Sequence, residues 1–104
     1  MVRLVWAQPA LDDLREIHDY IARDSPSYAQ RTVERITETA GRLKQFPQLG
    51  QVLYELPESG YRQFVVAPYR LIYRQDTAPA RGVILGVIHA SRDLPPILED
   101  RGTT

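Results

Sequence analysis

The chain contains no cysteine and only two histidines, His18 and His89. The absence of thiols excludes disulfides, thiolate zinc sites and cysteine nucleophiles, and it is compatible with a reducing cytosol. Two histidines far apart in the sequence do not have the spacing of a metal site. Neither a glycine-rich phosphate loop nor a serine-nucleophile motif is present. We therefore expect neither a metal nor any other cofactor.

Long hydrophobic runs are also missing. No apolar segment approaches the roughly 20 residues that a membrane-spanning helix needs. The N-terminal segment Met1–Trp6 is too short for the apolar core of a signal peptide and has no small-residue cleavage site. These absences predict a cytoplasmic protein without a membrane partner.

Charge of one sign is not in excess, because 13 basic residues balance 13 acidic ones. A dedicated nucleic-acid-binding domain usually carries a marked basic excess, so strong general binding of RNA or DNA is not expected. Of the 13 basic residues, 12 are arginines, which suit bidentate contacts to carboxylates and phosphates. Positions 61–92 hold five arginines and one acid, Asp76, so positive charge is concentrated there.

The first half of the chain has the apolar spacing of two helices, and 104 residues suffice for one domain. Apolar residues recur every three or four positions in two segments, which predicts helices over about 8–24 and 26–46. The first set is Leu11, Leu14, Ile17 and Ile21, and the second is Ala29, Val33, Ile36, Ala40 and Leu43. Ser25 and Pro26 suit the start of the second helix, so the pair predicts an αα-hairpin.

The remaining segments have the composition of β-strands. Val2–Trp6 is a short apolar run, and three runs rich in Val, Ile, Tyr and Phe follow a loop-like segment at 47–60. These runs are Tyr61–Ala67, Tyr69–Gln75 and Gly82–His89. Their short connections predict antiparallel neighbours. The last run is apolar on both faces, so it is expected at the centre of the sheet with part of its open side covered.

Alternation along the middle run assigns the two faces of the sheet. Leu71 and Tyr73 point to one side, whereas Arg70 and Arg74 point to the other. We predict that the Leu71 side packs on the helices and that the Arg70 side stays open. The predicted fold is α+β, of order β-α-α-β-β-β, with an αα-hairpin on one face of a four-stranded antiparallel sheet.

The last residues have a different composition from the rest. Pro95 and Pro96 interrupt any regular element, and the chain ends in polar residues. We predict one domain over residues 1–92 and an extended or frayed C-terminal tail over 93–104.

Several short motifs, taken in order and at their spacing, resemble the ParE/RelE family of type II toxins. They span nearly the whole chain. The motifs are Trp6; Leu14, Ile17, Tyr20 and Ile21; Pro26 and Ala29; Leu43 with Phe46-Pro47-Gln48-Leu49-Gly50; Tyr61-Arg62; Tyr69-Arg70-Leu71-Ile72-Tyr73; and Val87-Ile88-His89-Ala90-Ser91-Arg92. The fold of that family agrees with the topology predicted from periodicity.

The resemblance implies a toxin that a protein antitoxin, encoded beside it, holds inactive. RelE-like members cut messenger RNA on the ribosome, whereas ParE-like members poison DNA gyrase. The Pro-x-x-Gly turn at 47–50 and the His-x-x-Arg at 89–92 favour the ParE-like branch, with growth arrest and plasmid stabilization as its effects. DNA would be contacted only indirectly, through the antitoxin. A non-toxic or diverged interaction module is the third alternative.

A ribonuclease of this kind would need a base, an acid and a cation for the phosphorane. The candidate residues are Arg62, Arg70, His89 and Arg92, with Glu55 or Glu58 as a base from the preceding loop. The resemblance places Arg70 where RNA-cleaving relatives have a phosphate-binding arginine. Each candidate also has a structural interpretation: Arg70 as the partner of a carboxylate or carbonyl, and His89 as a hydrogen-bonded histidine.

Two departures from the ribonuclease pattern favour a toxin without nuclease chemistry. The C-terminal catalytic tyrosine or His-Tyr pair has no match, because the chain there reads Ala90-Ser91-Arg92-Asp93. A neutral chain with a single lysine would also gain little from counterion release on RNA. We therefore predict a toxin that is not an enzyme, with metal-independent RNA cleavage on the ribosome as the alternative.

The arginines also suggest where an antitoxin could bind. The family implies that the C-terminal segment of the antitoxin is disordered alone and folds on the toxin. We predict that its carboxylates contact Arg62, Arg70 or Arg74 while its apolar residues lie across the helices and the sheet.

Overall fold

A computed structural model describes residues 2–94 and shows two helices packed on a five-stranded sheet. The elements are β1 (Arg3–Trp6), α1 (Gln8–Ala22), α2 (Pro26–Gly41), β2 (Gln51–Val52), β3 (Arg62–Val66), β4 (Tyr69–Thr77) and β5 (Ala80–His89), with 3-10 turns at Arg42–Lys44 and Pro57–Ser59. The predicted α+β class with its αα-hairpin is confirmed. Of the predicted tail, residues 95–104 lie outside the described residues.

Capping by a side chain sets the start of α2. The hydroxyl of Ser25 accepts a hydrogen bond from the backbone N–H of Tyr28 at 3.2 Å, and Pro26 follows at the first helical position. Helix α2 ends at Gly41 instead of reaching residue 46, because the chain tightens there into the 3-10 turn at 42–44. Neither helix within residues 2–94 is both long and apolar enough to span a membrane.

The strand order is β1-β5-β4-β3-β2, and one pairing is parallel. Strand β1 runs parallel to β5, with Arg3 opposite Arg81 and Trp6 opposite Ile84. The predicted four-stranded, fully antiparallel sheet is therefore wrong in this pairing and in strand number. Parallel strands need a long crossover, and the helices and hairpin between β1 and β5 supply it. Strand β2 was missed because two residues are too few to show alternation.

The helix-facing side of the sheet carries the larger apolar core. Ile36 of α2 and Leu71, Tyr73 and Ile84 of the sheet are almost fully buried in it. The predicted placement of the Leu71 side under the helices is confirmed. A carboxylate also ties the layers together, because Oδ2 of Asp13 accepts a hydrogen bond from the N–H of Val87 at 2.9 Å.

The opposite side, here called the outer face, carries a smaller apolar cluster. It consists of the buried residues Leu53, Ile72, Ile88 and Leu94. Leu56 and Tyr61 pack against this cluster, so the loop between β2 and β3 covers part of the face. β5 lies between β1 and β4, which confirms its predicted central position and partial cover.

Candidate functional site on the outer face

Arg70 is buried on the outer face, with only 8% of its surface exposed. Its Nη1 and Nη2 donate to the two carboxylate oxygens of Glu55 at 2.6 and 2.8 Å, and its Nε donates to the side-chain oxygen of Gln63 at 2.6 Å. This bidentate arrangement uses all three guanidinium nitrogens. The carboxylate of Glu55 therefore occupies the position at Arg70 where an anionic group of a ligand would otherwise bind.

Electrostatics keep this pair ionised. The hydrogen bonds from Arg70 hold the pKa of Glu55 below its ordinary value, although partial burial opposes them. The same hydrogen bonds raise the pKa of Arg70. The ring of Tyr54 lies over the guanidinium, with its centroid 5.8 Å from the central carbon. A carboxylate with a lowered pKa and both oxygens occupied is a poor general base.

Arg74 lies further along β4, in a second ion-pair group. Its Nε and the Nε of Arg81 each donate to Asp76 at 2.8 Å. These hydrogen bonds, first from Arg74 and then from Arg81, lower the pKa of Asp76. The Arg74 side chain is about a quarter exposed, at 26%, so it is more accessible than Arg70.

Arg62 belongs to the helix-facing side instead. In the register of β3 and β4 it is opposite Tyr73, whose ring is in the larger core. Its Nη1 donates to the carbonyl of Gly50 at 2.8 Å, which fixes the turn after the helices. The structure therefore does not bring Arg62 onto one surface with Arg70 and Arg74.

His89 ends β5 on the helix-facing side, directly opposite Tyr69. The two rings meet edge to face at 5.8 Å, and Nδ1 of His89 is 2.8 Å from the hydroxyl of Ser91. With the exposed Arg92 and with Glu16 of α1, His89 lines a cavity of about 410 Å³. This rim is on the other side of the sheet from the Arg70 guanidinium.

The predicted ribonuclease residues are thus dispersed. Arg70 and Glu55 form an ion pair on the outer face, His89 and Arg92 lie at the rim beside α1, and Arg62 holds a turn. Glu58 is exposed in its 3-10 turn. Within residues 2–94 no histidine lies beside Arg70 to act as an acid. The candidates for the acid, the base and the cation therefore do not lie together on one surface.

The hydroxyl of Tyr73 holds the turn at 47–50, whereas the sequence predicted only packing for this residue. The Tyr73 hydroxyl donates to the carbonyl of Pro47 and accepts from the N–H of Gly50, both at 2.9 Å. Burial raises the pKa of Tyr73. A Cβ at Gly50 would be 2.6 Å from the Gln63 carbonyl oxygen, so a side chain there would clash. The Pro-x-x-Gly motif is explained by this close approach.

The ionisable residues do not converge as metal ligands would. Within the part of the chain that the structure describes, no three His, Asp or Glu side chains are grouped so that they could hold a metal ion.

Comparison with known proteins identifies the family. The family model described as the ParE toxin of the type II toxin–antitoxin system parDE matches residues 4–94. Toxin RelE2 of Caulobacter vibrioides is 36% identical over 92 residues, which cover 88% of this chain and 99% of that protein. The structure of a chromosomal ParDE system from P. aeruginosa matches with a TM-score of 0.72 and 27% identity, covering 86% of this chain and 96% of the other. The RelBE2 toxin–antitoxin complex of Mycobacterium tuberculosis matches with a TM-score of 0.64 and 28% identity, covering 85% and 96%.

Proposed function

This chain belongs to the ParE toxin family of type II toxin–antitoxin systems, and from that membership we propose that it arrests growth by acting on DNA gyrase without cutting RNA. A protein antitoxin is the partner expected of such a toxin, and the solved relatives are described as toxin–antitoxin systems and complexes. Because gyrase acts on the chromosome, we place this activity in the cytoplasm.

The observation that carries the proposal is the in-chain pairing of Arg70. A phosphate bound at this position would have to displace Glu55 from two short hydrogen bonds and Gln63 from a third. Among residues 2–94, the carboxylate that pairs with Arg70 is that of Glu55, and its lowered pKa makes it unsuited to take a proton from a 2′-hydroxyl. Toxicity without nuclease chemistry fits this geometry better than RNA cleavage.

RelE-like cleavage of messenger RNA on the ribosome is the second candidate. It is favoured by the similarity to the protein named Toxin RelE2, which is 36% identical. Two assays of the purified chain distinguish the candidates: gyrase-catalysed supercoiling, and cleavage of a translated messenger RNA. Inhibition of supercoiling with intact RNA supports our proposal. RNA cleavage that Arg70→Ala abolishes would overturn it.

Growth assays distinguish a toxin from a harmless interaction module. The chain is expressed from an inducible promoter alone and together with the reading frame that neighbours its gene. We expect growth arrest in the first case and relief in the second. Harmless expression of the folded chain alone would reject a toxic role.

For the antitoxin, we retain the proposal that carboxylates reach the arginines, and we narrow it to Arg74. All three arginines have partners in the chain, namely Asp76 for Arg74, Glu55 for Arg70 and the Gly50 carbonyl for Arg62. Arg74 is preferred over Arg70 because its side chain is more exposed, at 26% against 9%. Calorimetric titration of the neighbouring gene's product into Arg74→Glu and Arg70→Glu chains measures the contribution, with the exposed Arg15→Glu as the matched control. Unchanged affinity of the folded Arg74→Glu chain would reject this placement.

A further inference from the structure

A serine and a histidine are hydrogen-bonded to each other in the turn that follows β5. The hydroxyl oxygen of Ser91 is 2.8 Å from Nδ1 of His89, and the backbone N–H of Ser91 donates to the same nitrogen at 3.1 Å. Because a backbone N–H can only donate, Nδ1 presents its lone pair, and the ring proton of the neutral imidazole is on Nε2. The Ser91 hydroxyl therefore donates its proton to a nitrogen base.

The ring of His89 is also held from the side of the sheet. It meets the ring of Tyr69 edge to face, with the centroids 5.8 Å apart and the planes at 88°. Tyr69 is directly opposite His89 in the register of β4 and β5, so strand pairing fixes this contact. A backbone hydrogen bond closes the turn, from the N–H of Arg92 to the carbonyl of His89 at 2.9 Å. The imidazole lone pair is thereby kept in position beside Ser91.

Other hydroxyl groups of the chain donate to acceptors of a different kind. The Ser59 hydroxyl donates to the carbonyl of Leu56 at 2.6 Å, and the hydroxyls of Thr32 and Thr39 donate to carbonyls within α2. A carbonyl oxygen accepts a hydrogen bond but is too weak a base to remove the proton. Ser91 differs from these residues because its acceptor is an imidazole, the base that activates hydroxyl nucleophiles in proteins.

The pair lies beside enough open space for a small molecule. Ser91, His89 and Tyr69 line a cavity of about 660 Å³ next to α1, with the half-buried Ile17 as an apolar part of its wall. Ser91 and His89 are both exposed, so a ligand in this cavity can reach the hydroxyl. The volume is within the range of ordinary small-molecule sites.

The charges of the cavity indicate which ligands it suits. Among the described residues that line it, the acids Glu16 and Asp19 accompany the arginines Arg23 and Arg92. With a neutral imidazole the lining therefore has no net charge. A phosphoryl donor carries several negative charges and would be repelled by the two acids, whereas a neutral carbonyl compound would not. The lining thus favours a neutral electrophile.

We propose that Ser91 is a nucleophile activated by His89 and that it takes up the acyl group of an activated carboxylic ester. Oγ of Ser91 forms a bond to the carbonyl carbon while its proton passes to Nδ1 of His89. The tetrahedral intermediate then expels the leaving oxygen, which takes the proton from the imidazolium. The products are an ester on Ser91 and the free alcohol, and no group is oxidised or reduced. This modification site is independent of the proposed function, because it does not involve Arg70.

The test exposes the full chain to p-nitrophenyl acetate, a small neutral activated ester. Release of p-nitrophenolate gives the rate, and mass spectrometry of peptides locates the acetyl group. Ser91→Ala removes the nucleophile, and His89→Gln removes the base but keeps a hydrogen-bonding side chain. Ser59→Ala is the matched control, because Ser59 is also exposed in a turn and its hydroxyl donates to a carbonyl. Melting curves first establish that the variants fold.

We expect Ser91 to be acetylated roughly a hundredfold faster than Ser59, the lower end of what a positioned general base contributes. His89→Gln should slow acetylation of Ser91 by a similar factor of about a hundred, and Ser59→Ala should leave it unchanged. The rate at Ser91 should also fall in acid as the imidazole becomes protonated, and His89→Gln should lose this inflection. A histidine that only supports the turn would not produce such a pH profile.

Three outcomes count against the inference. Ser91 could react no faster than Ser59, the acetyl group could accumulate only on Lys44 or on tyrosines, or a folded His89→Gln chain could react at the unaltered rate. Each would show that the hydroxyl of Ser91 is not activated by the imidazole. Should His89→Gln fail to fold, the pH profile of the unaltered chain decides, and a profile without the acid inflection overturns the proposal.

Discussion

The two faces of the sheet are stabilised by different kinds of interaction. Under the helices, Ile36, Leu71 and Ile84 are fully buried in the larger apolar core. On the outer face, four of the buried apolar residues among positions 2–94 form one cluster, and beside it the buried Arg70 depends on Glu55 and Gln63. The helix-covered face therefore relies mainly on packing, with one hydrogen bond from Val87 to the Asp13 carboxylate, whereas the outer face relies partly on the ion pair of Arg70 and Glu55.

This difference also separates stability from binding. The two helices cover the packed face of the sheet, and a cavity lies at its rim near His89. One loop covers part of the outer face. At the edge of β3, positions 64–66 pair with no second neighbouring strand among residues 2–94. Substitutions under the helices should therefore lower the free energy of unfolding, and substitutions at the unpaired edge of β3 should change the affinity for a partner.

The largest expected effect comes from deleting packing on each face. Ile36→Ala should cost about 4 kcal/mol of unfolding free energy and Leu53→Ala about 2, because a loop can collapse onto the cavity and a packed helix cannot. Both residues are fully buried in the native protein. Urea denaturation measures the two values. A Leu53→Ala cost equal to or above that of Ile36→Ala would contradict the contrast between the faces.

The second largest loss of unfolding free energy is expected when the ion pair of the outer face is broken. Glu55→Gln leaves the guanidinium of Arg70 without its counter-charge, and at pH 7 this should cost roughly 2 kcal/mol, less than a fully buried pair because Glu55 is partly exposed. Chemical denaturation measures the cost, and Glu58→Gln in the exposed 3-10 turn is the matched control.

The pH dependence of that cost has a defined sign. The pKa of Glu55 is lowered in the folded protein, so its stabilisation is present above the unfolded value of about 4.3 and is lost as pH falls through the lower folded value. The difference between the native chain and Glu55→Gln should therefore shrink below about pH 4. The variant keeps some acid sensitivity, because the pKa of Asp76 is also lowered. A difference that grows on acidification would contradict this assignment.

A third, smaller effect concerns the link between the packed face and the turn at 47–50. Tyr73→Phe keeps the ring in the core but leaves the buried N–H of Gly50 without its acceptor, so it should cost about 1–2 kcal/mol. Thermal and urea unfolding measure it, and Tyr20→Phe on the exposed surface of α1 is the control. A cost no larger than that of the control would remove the structural role assigned to the hydroxyl.

The smallest effect should come from Arg81. Its ion pair with Asp76 lies near the surface, and the Arg81 side chain is 38% exposed. Arg81→Ala should lower stability by less than about 0.5 kcal/mol, and salt should erase the loss. Denaturation at low and high ionic strength measures both. A large, salt-independent loss would show that the Asp76 group is part of the rigid fold.

Periodicity was sufficient to predict both helices and the three long strands. Residues such as Leu14 and Ile36 recur at helical spacing, and Leu71 alternates with Arg70 along β4. The parallel pairing of β1 could not be read from its own residues, because four residues do not encode which neighbour they join. Strand β2 is shorter still and exists because Tyr73 and Arg62 hold the preceding turn beside β3.

The candidate site was predictable in its residues but not in its geometry. Arg70 and Glu55 were both candidates, and the carboxylate-partner interpretation of Arg70 matches the structure. The two residues are 15 positions apart, and the sequence does not specify the path of the loop that carries Glu55. Arg62 and Arg70 lie on opposite faces of the sheet because of the register between β3 and β4. The number of arginines in the sequence does not reveal that register.

We propose that Arg70 supports the fold of this chain and does not act on RNA. The most direct test replaces both partners of its ion pair in one chain, Arg70→Met with Glu55→Leu, because apolar replacement of a buried pair can preserve stability. We expect this chain to melt cooperatively and still to arrest growth on induction, with relief by the neighbouring gene. A folded double variant that no longer harms the cell would contradict it.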